Sequence, residues 1–174
     1  MSDISTAEQV PTDRLALLRP VPADAEAILR ICGVAEPWVT VVPNLVAAQR
    51  LYLEWDEHWR RHGYGYWTVR TRTDDTVVGF CGIRSMNMPA GPALNLFYRL
   101  APATRGQGFA AEAASAVVAH ARTHLPKLPV IARIQPENDA SHRVAERAGL
   151  SRAEYLDTDS WHHYVAPSGW GHVD

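Results

Sequence analysis

Across residues 66–100 the apolar side chains recur at every second position, whereas on both sides of that stretch they recur at every third or fourth. A period of two marks strands, whose side chains alternate between two faces. Tyr66-Trp-Thr-Val-Arg-Thr-Arg72, a turn at Asp74-Asp75, residues 77–83, a loop through Pro89 and Pro92, and residues 94–100 give three strands in succession. Connections this short predict an antiparallel meander, which argues against a doubly wound parallel sheet.

Helical spacing surrounds the meander. The apolar run Leu15-Ala-Leu-Leu-Arg-Pro20 is closed by proline, and behind it Ala25, Ile28, Leu29 and Cys32 keep a helical period, so a strand leads into a helix. Between residues 45 and 62, Leu45, Ala48, Tyr52, Trp55, Trp59 and His62 stand three or four apart, with Asn44 as N-cap and Gly63 as stop. Residues 108–125 align Ala110, Ala114, Val117, Ala121 and Leu125 on one face, small enough to lie close against a sheet. Residues 130–134 read as a strand, 139–148 as a helix ended by Gly149, and two short strands are predicted near Tyr155 and Tyr164. No repeat or linker interrupts this pattern, so the reading is one mixed α/β domain over residues 14–174 behind a flexible tail of residues 1–13.

Composition narrows the partners. A chain of 174 residues that is 47 % apolar is long enough for one core. Its net charge of −2 offers no bulk attraction for nucleic acid or anionic lipid, and it has no run of about 18 apolar residues; neither nucleic acid nor membrane is an expected partner. Cys32 and Cys81 lack metal or redox spacing and read as reduced core residues of a cytoplasmic protein.

The stretch Arg105-Gly-Gln-Gly-Phe-Ala-Ala-Glu-Ala-Ala114 carries the chemistry. A strand, a tight turn and a helix start bring unpaired backbone N–H groups to one point, which suits phosphate. Side chains at Gly106 or Gly108 would obstruct an anion or forbid the backbone angles, and Arg105 adds a charge-assisted bond. The glycines alone are equally consistent with a plain turn. They also satisfy the G-x-G-x-x-A dinucleotide fingerprint, but Pro102 and Thr104 separate them from the strand and the acidic residue due about 20 positions on is missing.

The same stretch resembles the R/Q-x-x-G-x-G/A pyrophosphate loop of the GNAT acetyltransferases, with Arg105, Gly108 and Ala110 at the matching positions. Three further segments are similar to that family in the right order. They are Arg14-Leu-Ala-Leu-Leu-Arg-Pro20 with Asp24, Val78-Gly-Phe-Cys-Gly-Ile83, and Asn138-Asp-Ala-Ser-His-Arg-Val-Ala-Glu-Arg-Ala-Gly149. The branch resembled includes the N-terminal acetyltransferases of ribosomal proteins. The resemblance implies a GNAT fold: a mixed, mostly antiparallel sheet flanked by helices, whose fourth and fifth strands (here residues 94–100 and 130–134) splay to admit acetyl-CoA. Backbone of Tyr98 and Leu100 would then contact pantetheine, N–H groups from Arg105, Gly106, Gln107, Gly108, Phe109 and Ala110 the pyrophosphate, and Asn138 and Ser141 the thiol end. Asn138 equally suits a helix N-cap.

The implied activity is N-acetylation of a primary amine, on a small molecule or a protein N-terminus, by direct transfer in a ternary complex. Such transfer needs a neutral amine, a donor to the developing oxyanion and a proton for the thiolate. Ser141 is the matching hydroxyl for the sulfur. The strand-four position at which many relatives carry a glutamate base is Asn95 here, which cannot act as one. A water relay, or one of Glu54, Glu57, His58 and Tyr164, would replace it. The same departure motivates the alternative of a non-catalytic acyl-CoA-binding module. A homodimer is a family tendency.

The remaining motifs read as structure. His58/His62 and His120/His124 have i,i+4 spacing but no third ligand, so solvated helix faces and no metal are expected. Trp55 and Trp59 read as core, Trp38 in its Pro-flanked loop as a candidate substrate contact, Glu112 as a helix-dipole partner, and Trp161-His-His-Tyr164 as an amphipathic edge strand.

Overall fold

In a computed structural model describing residues 8–167, the chain runs β1 (Gln9–Pro11), β2 (Leu15–Leu18), α1 (Ala25–Cys32), α2 (Leu45–His62), β3 (Tyr66–Thr71), β4 (Val77–Met88), β5 (Gly91–Leu100), α3 (Phe109–His124), β6 (Val130–Ile134), α4 (Asp139–Arg147), β7 (Ser151–Arg152) and β8 (His162–Val165). The strands form one sheet in the order β1-β2-β3-β4-β5-β6-β8-β7. β3, β4 and β5 are the antiparallel meander at its centre.

The meander is longer than alternation alone predicts. β4 and β5 stay in register from Gly79↔Leu100 to Met88↔Gly91 and turn through Pro89-Ala90, in place of a loop reaching Pro92. Pro92 is tolerated because of parity. On β5 the Ala93 set points its amides at β4, as the Ala101 amide does in bonding Val78, whereas Leu94 bonds Pro129 on the other side. Pro92 belongs to the second set and removes no β4 bond.

Each sheet face has its own core. On one face α3 and α4 cover Leu15, Trp67, Ile83, Leu94 and Val130, with Ala113, Ala114, Val117 and Ala121 of α3 almost fully buried. On the other, α1 and α2 close Ile28, Ile31, Trp55 and Phe80. Asn44 caps α2 by accepting the Ala47 amide at 2.9 Å, a contact worth about 1 kcal/mol. Gly63 ends it with φ 73°. Trp55 and Trp59 are core residues, and Cys32 and Cys81 are buried and unpaired.

Three segments depart from expectation. Gln9–Pro11, expected within a flexible tail, pairs with β2 and buries Val10; residues 1–7 lie outside the described residues. The penultimate strand is Ser151–Arg152, while Tyr155 sits in a 3-10 turn and is 77 % exposed. β8 is interior, between β6 and β7, so Trp161 leads into a paired strand and not an edge.

Candidate active site

β5 and β6 run parallel but share two register pairs, Leu94↔Val130 and Asn95↔Ile131, and then part. By the parity set at Leu94, the pair Asn95↔Ile131 engages the Leu96 amide with β6; beyond it the Leu96 carbonyl, both groups of Tyr98 and the Leu100 amide face the gap, while the Leu100 carbonyl accepts from Arg105 at 3.2 Å. Such an open edge accepts an extended chain as an added strand. β4 and β5 pair without a register shift from Gly79↔Leu100 to Met88↔Gly91.

At the end of β5 the chain passes a 3-10 turn, Pro102–Thr104, and enters the glycine turn. Gly106 has φ 78° and Gly108 φ 80°, a region that costs an L side chain about 1 kcal/mol or more. A Cβ at Gly106 would meet nothing within 4 Å, so this glycine is required by conformation and not by crowding. Gly108 caps α3 with no side-chain hydrogen bond. The first-turn amides of a 16-residue helix are therefore left to an external acceptor. Behind the turn, Arg14 donates to the Gln107 carbonyl at 2.8 Å, packs over the Phe109 ring and pairs with Glu112 at 2.7 Å. Glu112 also accepts from Thr12 Oγ1 and the Arg14 amide. It joins the β1–β2 connection to α3 as well as facing the dipole. Burial opposes its charge, but these hydrogen bonds prevail and hold its carboxyl below the ordinary value.

Tyr98, Leu100, Arg105, Gly106, Gly108, Phe109, Ala110, Asn138 and Ser141 line one groove of about 410 Å³. Gln107 lies outside that lining, with its carbonyl turned to Arg14. Asn138 is the N-cap of α4, its side chain accepting the Ser141 amide at 3.2 Å, and it faces the groove as well. The Tyr98 phenol, raised by burial, donates to the Ser141 carbonyl at 2.7 Å and fixes α4 to β5. Arg143 and Arg147, one helical turn apart, add charge to the groove. Sequence reasoning missed them, although the spacing on the Asn138 helix is visible. It also missed Glu36, which pairs with Arg105. Arg99, donating to the Val34 carbonyl at 2.7 Å, holds the same α1–α2 connection from beneath.

The groove opens into a second cavity of about 210 Å³ where β5 and β6 part, lined by Asn95, Phe97, Tyr98, Arg133, Ser141 and the two indoles Trp38 and Trp161. Asn95 lies beside the Tyr66 phenol. Burial holds that phenol above its ordinary value, against the pull of Arg84, Asn95 and Arg133. The Tyr66 and Phe97 rings stack at 4.6 Å although they stand two strands apart. They meet above Gly82, the register partner of both. Gly82 has no room for a Cβ, which would stand 2.2 Å from the Gly65 carbonyl oxygen.

Residues 14–151 match the family model of the acetyltransferase (GNAT) domain. The chain belongs to the GNAT acetyltransferase family. Its structure is similar to an acetyltransferase from Agrobacterium tumefaciens, at 25 % identity and TM-score 0.69, over 90 % of this chain and 92 % of that one. It is also similar to the Salmonella typhimurium enzyme that modifies the N-terminal serine of ribosomal protein L7/L12, at 17 % identity and TM-score 0.71, over 91 % and 98 % of the two chains. A ribosomal L7/L12 α-N-protein acetyltransferase solved with coenzyme A gives 18 % identity and TM-score 0.71, over 91 % and 97 %.

GNAT membership and the antiparallel sheet overturn the dinucleotide alternative. In GNAT terms β5 and β6 are the fourth and fifth strands, the count being raised by β1. The acid and base groups are more constrained than the sequence suggested. His58 is buried, with Nδ1 on the Tyr64 carbonyl at 2.8 Å and Nε2 accepting the Ser85 amide at 3.2 Å. Burial lowers its pKa to about 4, so it is neutral with both nitrogens engaged. Glu57 is paired with Arg61 at 2.8 Å, and Tyr164 is buried in the core under α3 and α4. Glu54 is exposed and lines a separate groove with Arg84. Each histidine pair is half solvated: His62 and His124 are exposed, whereas His58 and His120 are 8 % and 9 % exposed, and burial takes His120 to about 4 as well.

Proposed function

We propose that this protein is an N-acetyltransferase that moves an acetyl group from acetyl-CoA to a primary amine of a small molecule or a protein N-terminus, by direct transfer in a ternary complex. The observation that carries this reading is the open edge of β5 beyond its last pair with β6, at Tyr98 and Leu100, which runs from the glycine turn to the Asn95 cavity and passes Ser141. The residues fit the donor: free α3 amides and Arg105 for the pyrophosphate, Arg143 and Arg147 for further phosphate charge, and strand edge for the pantetheine arm.

In this mechanism the amine enters through the Asn95 cavity and loses its proton to water. That loss is easiest for an α-amino group, with a free pKa of about 7.7 to 8.0. The amine nitrogen bonds to the acetyl carbon as the carbon–sulfur bond breaks. A free amide of the open β5 edge donates to the carbonyl oxygen as charge develops on it. The Ser141 hydroxyl, one turn into α4 and without a hydrogen bond to any described residue, donates toward the departing sulfur. Asn95, beside the Tyr66 phenol, orients the amine and takes no proton. A cytoplasmic location belongs to the same reading, supported by the unpaired thiols of Cys32 and Cys81.

Asn95 at the usual carboxylate position favours a second reading, a non-catalytic acyl-CoA-binding module. Thiol release from acetyl-CoA with a panel of amines separates the two. Amine-dependent release supports the enzyme; a CoA-induced rise in melting temperature with no release for any amine supports the module.

A further inference from the structure

The acceptor side of the cleft is cationic, and its cations lack carboxylate partners. Several arginines elsewhere are paired with carboxylates, as Arg70 is with Asp24, Arg105 with Glu36 and Arg152 with Asp157, and others, such as Arg72 and Arg99, donate to backbone carbonyls. Arg84 and Arg133 have no ion pair among the described residues and lie instead against ring faces, Arg84 5.7 Å from the Tyr66 centroid and Arg133 5.5 Å from that of Trp161. A guanidinium on a ring face keeps its in-plane N–H fork free, and that fork matches a carboxylate.

Sheet register brings these two groups to one place. Arg84 is the partner of Asn95 across β4/β5, Asn95 is the partner of Ile131 across β5/β6, and Arg133 is the next residue of that face on β6. At about 4.8 Å per strand, Arg84 and Ile131 stand roughly 10 Å apart with Asn95 between them. Arg133 therefore lines the cavity in which the amine is acetylated, and Arg84, in the adjoining groove, stands across Asn95 from it. The nearby acids do not neutralise them: Glu57 is taken by Arg61, Asp157 by Arg152, and Glu54 lies beyond 4 Å of Arg84.

We infer that the acceptor amine carries an anionic group, a carboxylate held by Arg84 and Arg133 on either side of Asn95, with its body between Trp38 and Trp161. The inference rests on the N-acetyltransferase reading above. It disfavours polyamines and aminoglycosides, whose extra ammonium groups would face two guanidiniums. The carboxylate belongs to a free amino acid or to an acidic residue beside a protein N-terminus; the chemistry is shared and the source is set by experiment.

The test uses matched acceptors with and without the anion: phenylalanine against phenethylamine, the amidated peptide Ser-Asp-Asp against Ser-Lys-Lys, and spermidine. We expect kcat/KM at least 10-fold higher for the carboxylate member of one pair, and that pair names the source. In Arg133→Met and Arg84→Gln the ratio falls to within about twofold, and in Arg133→Glu it falls below one. A rise in melting temperature with CoA establishes that each variant is folded. Spermidine or phenethylamine turned over as well as phenylalanine, with Ser-Lys-Lys matching Ser-Asp-Asp, overturns the inference and leaves the acetyltransferase reading standing. So does a ratio that survives both substitutions. If no acceptor releases thiol, the acetyltransferase reading fails and melting temperature decides the inference. A larger rise for the carboxylate member on top of CoA, lost in Arg133→Met, supports it, and equal shifts overturn it.

Discussion

The two ends of the site are made of different material. The donor groove is largely backbone: strand edge at Tyr98 and Leu100, and helix amides behind Gly106 and Gly108. The acceptor end is side chain: Asn95 on β5, Arg133 on β6 and two indoles from loops line the cavity, with Tyr66 on β3 and Arg84 on β4 beside Asn95. Backbone is indifferent to most substitutions and demands glycine where φ is positive, so one donor can be held by many sequences. Side chains from four strands can be exchanged singly, so acceptor specificity can drift while the donor stays fixed.

That contrast can be broken at its ends. The largest expected effect is at their junction: Ser141→Ala lowers turnover at saturating acetyl-CoA by about 100-fold if the hydroxyl protonates the sulfur, read by initial rates with the acetyl-CoA KM little changed. Next, Gly108→Val strains a backbone at φ 80° and raises the acetyl-CoA KM about 10-fold, while the acceptor KM stays within twofold. A smaller effect of opposite sign is expected at Glu36, which competes for Arg105: Glu36→Gln lowers the acetyl-CoA KM by a few-fold, and a rise would show that the pair supports the loop instead.

The smallest effect is on stability. Hydrogen bonds from Thr12 and Arg14 depress the folded-state pKa of Glu112 despite partial burial. Its contribution is therefore present above the ordinary glutamate pKa and is lost as pH falls through the depressed value. Melting temperatures of the native protein and Glu112→Gln should differ near pH 6 and converge toward pH 3.

Local chemistry accounts for what was legible in the sequence. Asn44 and Gly63 bracket α2 because caps are single-residue requirements, and Asn138 and Ser141 are read together because they share one helical turn. β1 was not legible, since three residues with one buried valine carry no period. Strand lengths around Pro89 and Pro92 were misread because a proline whose missing amide points away from its partner strand looks like a loop. The Tyr66, Arg84 and Arg133 cluster left no local trace, because register across three sheet interfaces, and not spacing along the chain, unites it.

The most direct test of the central claim is mass-spectrometric detection of product when the protein, acetyl-CoA and the acceptor panel are incubated together. Acetylated amine formed in equal amount with free CoA, and dependent on both substrates, is the predicted result. A protein that acetyl-CoA stabilises against heat, yet that acetylates no member of the panel, would contradict it.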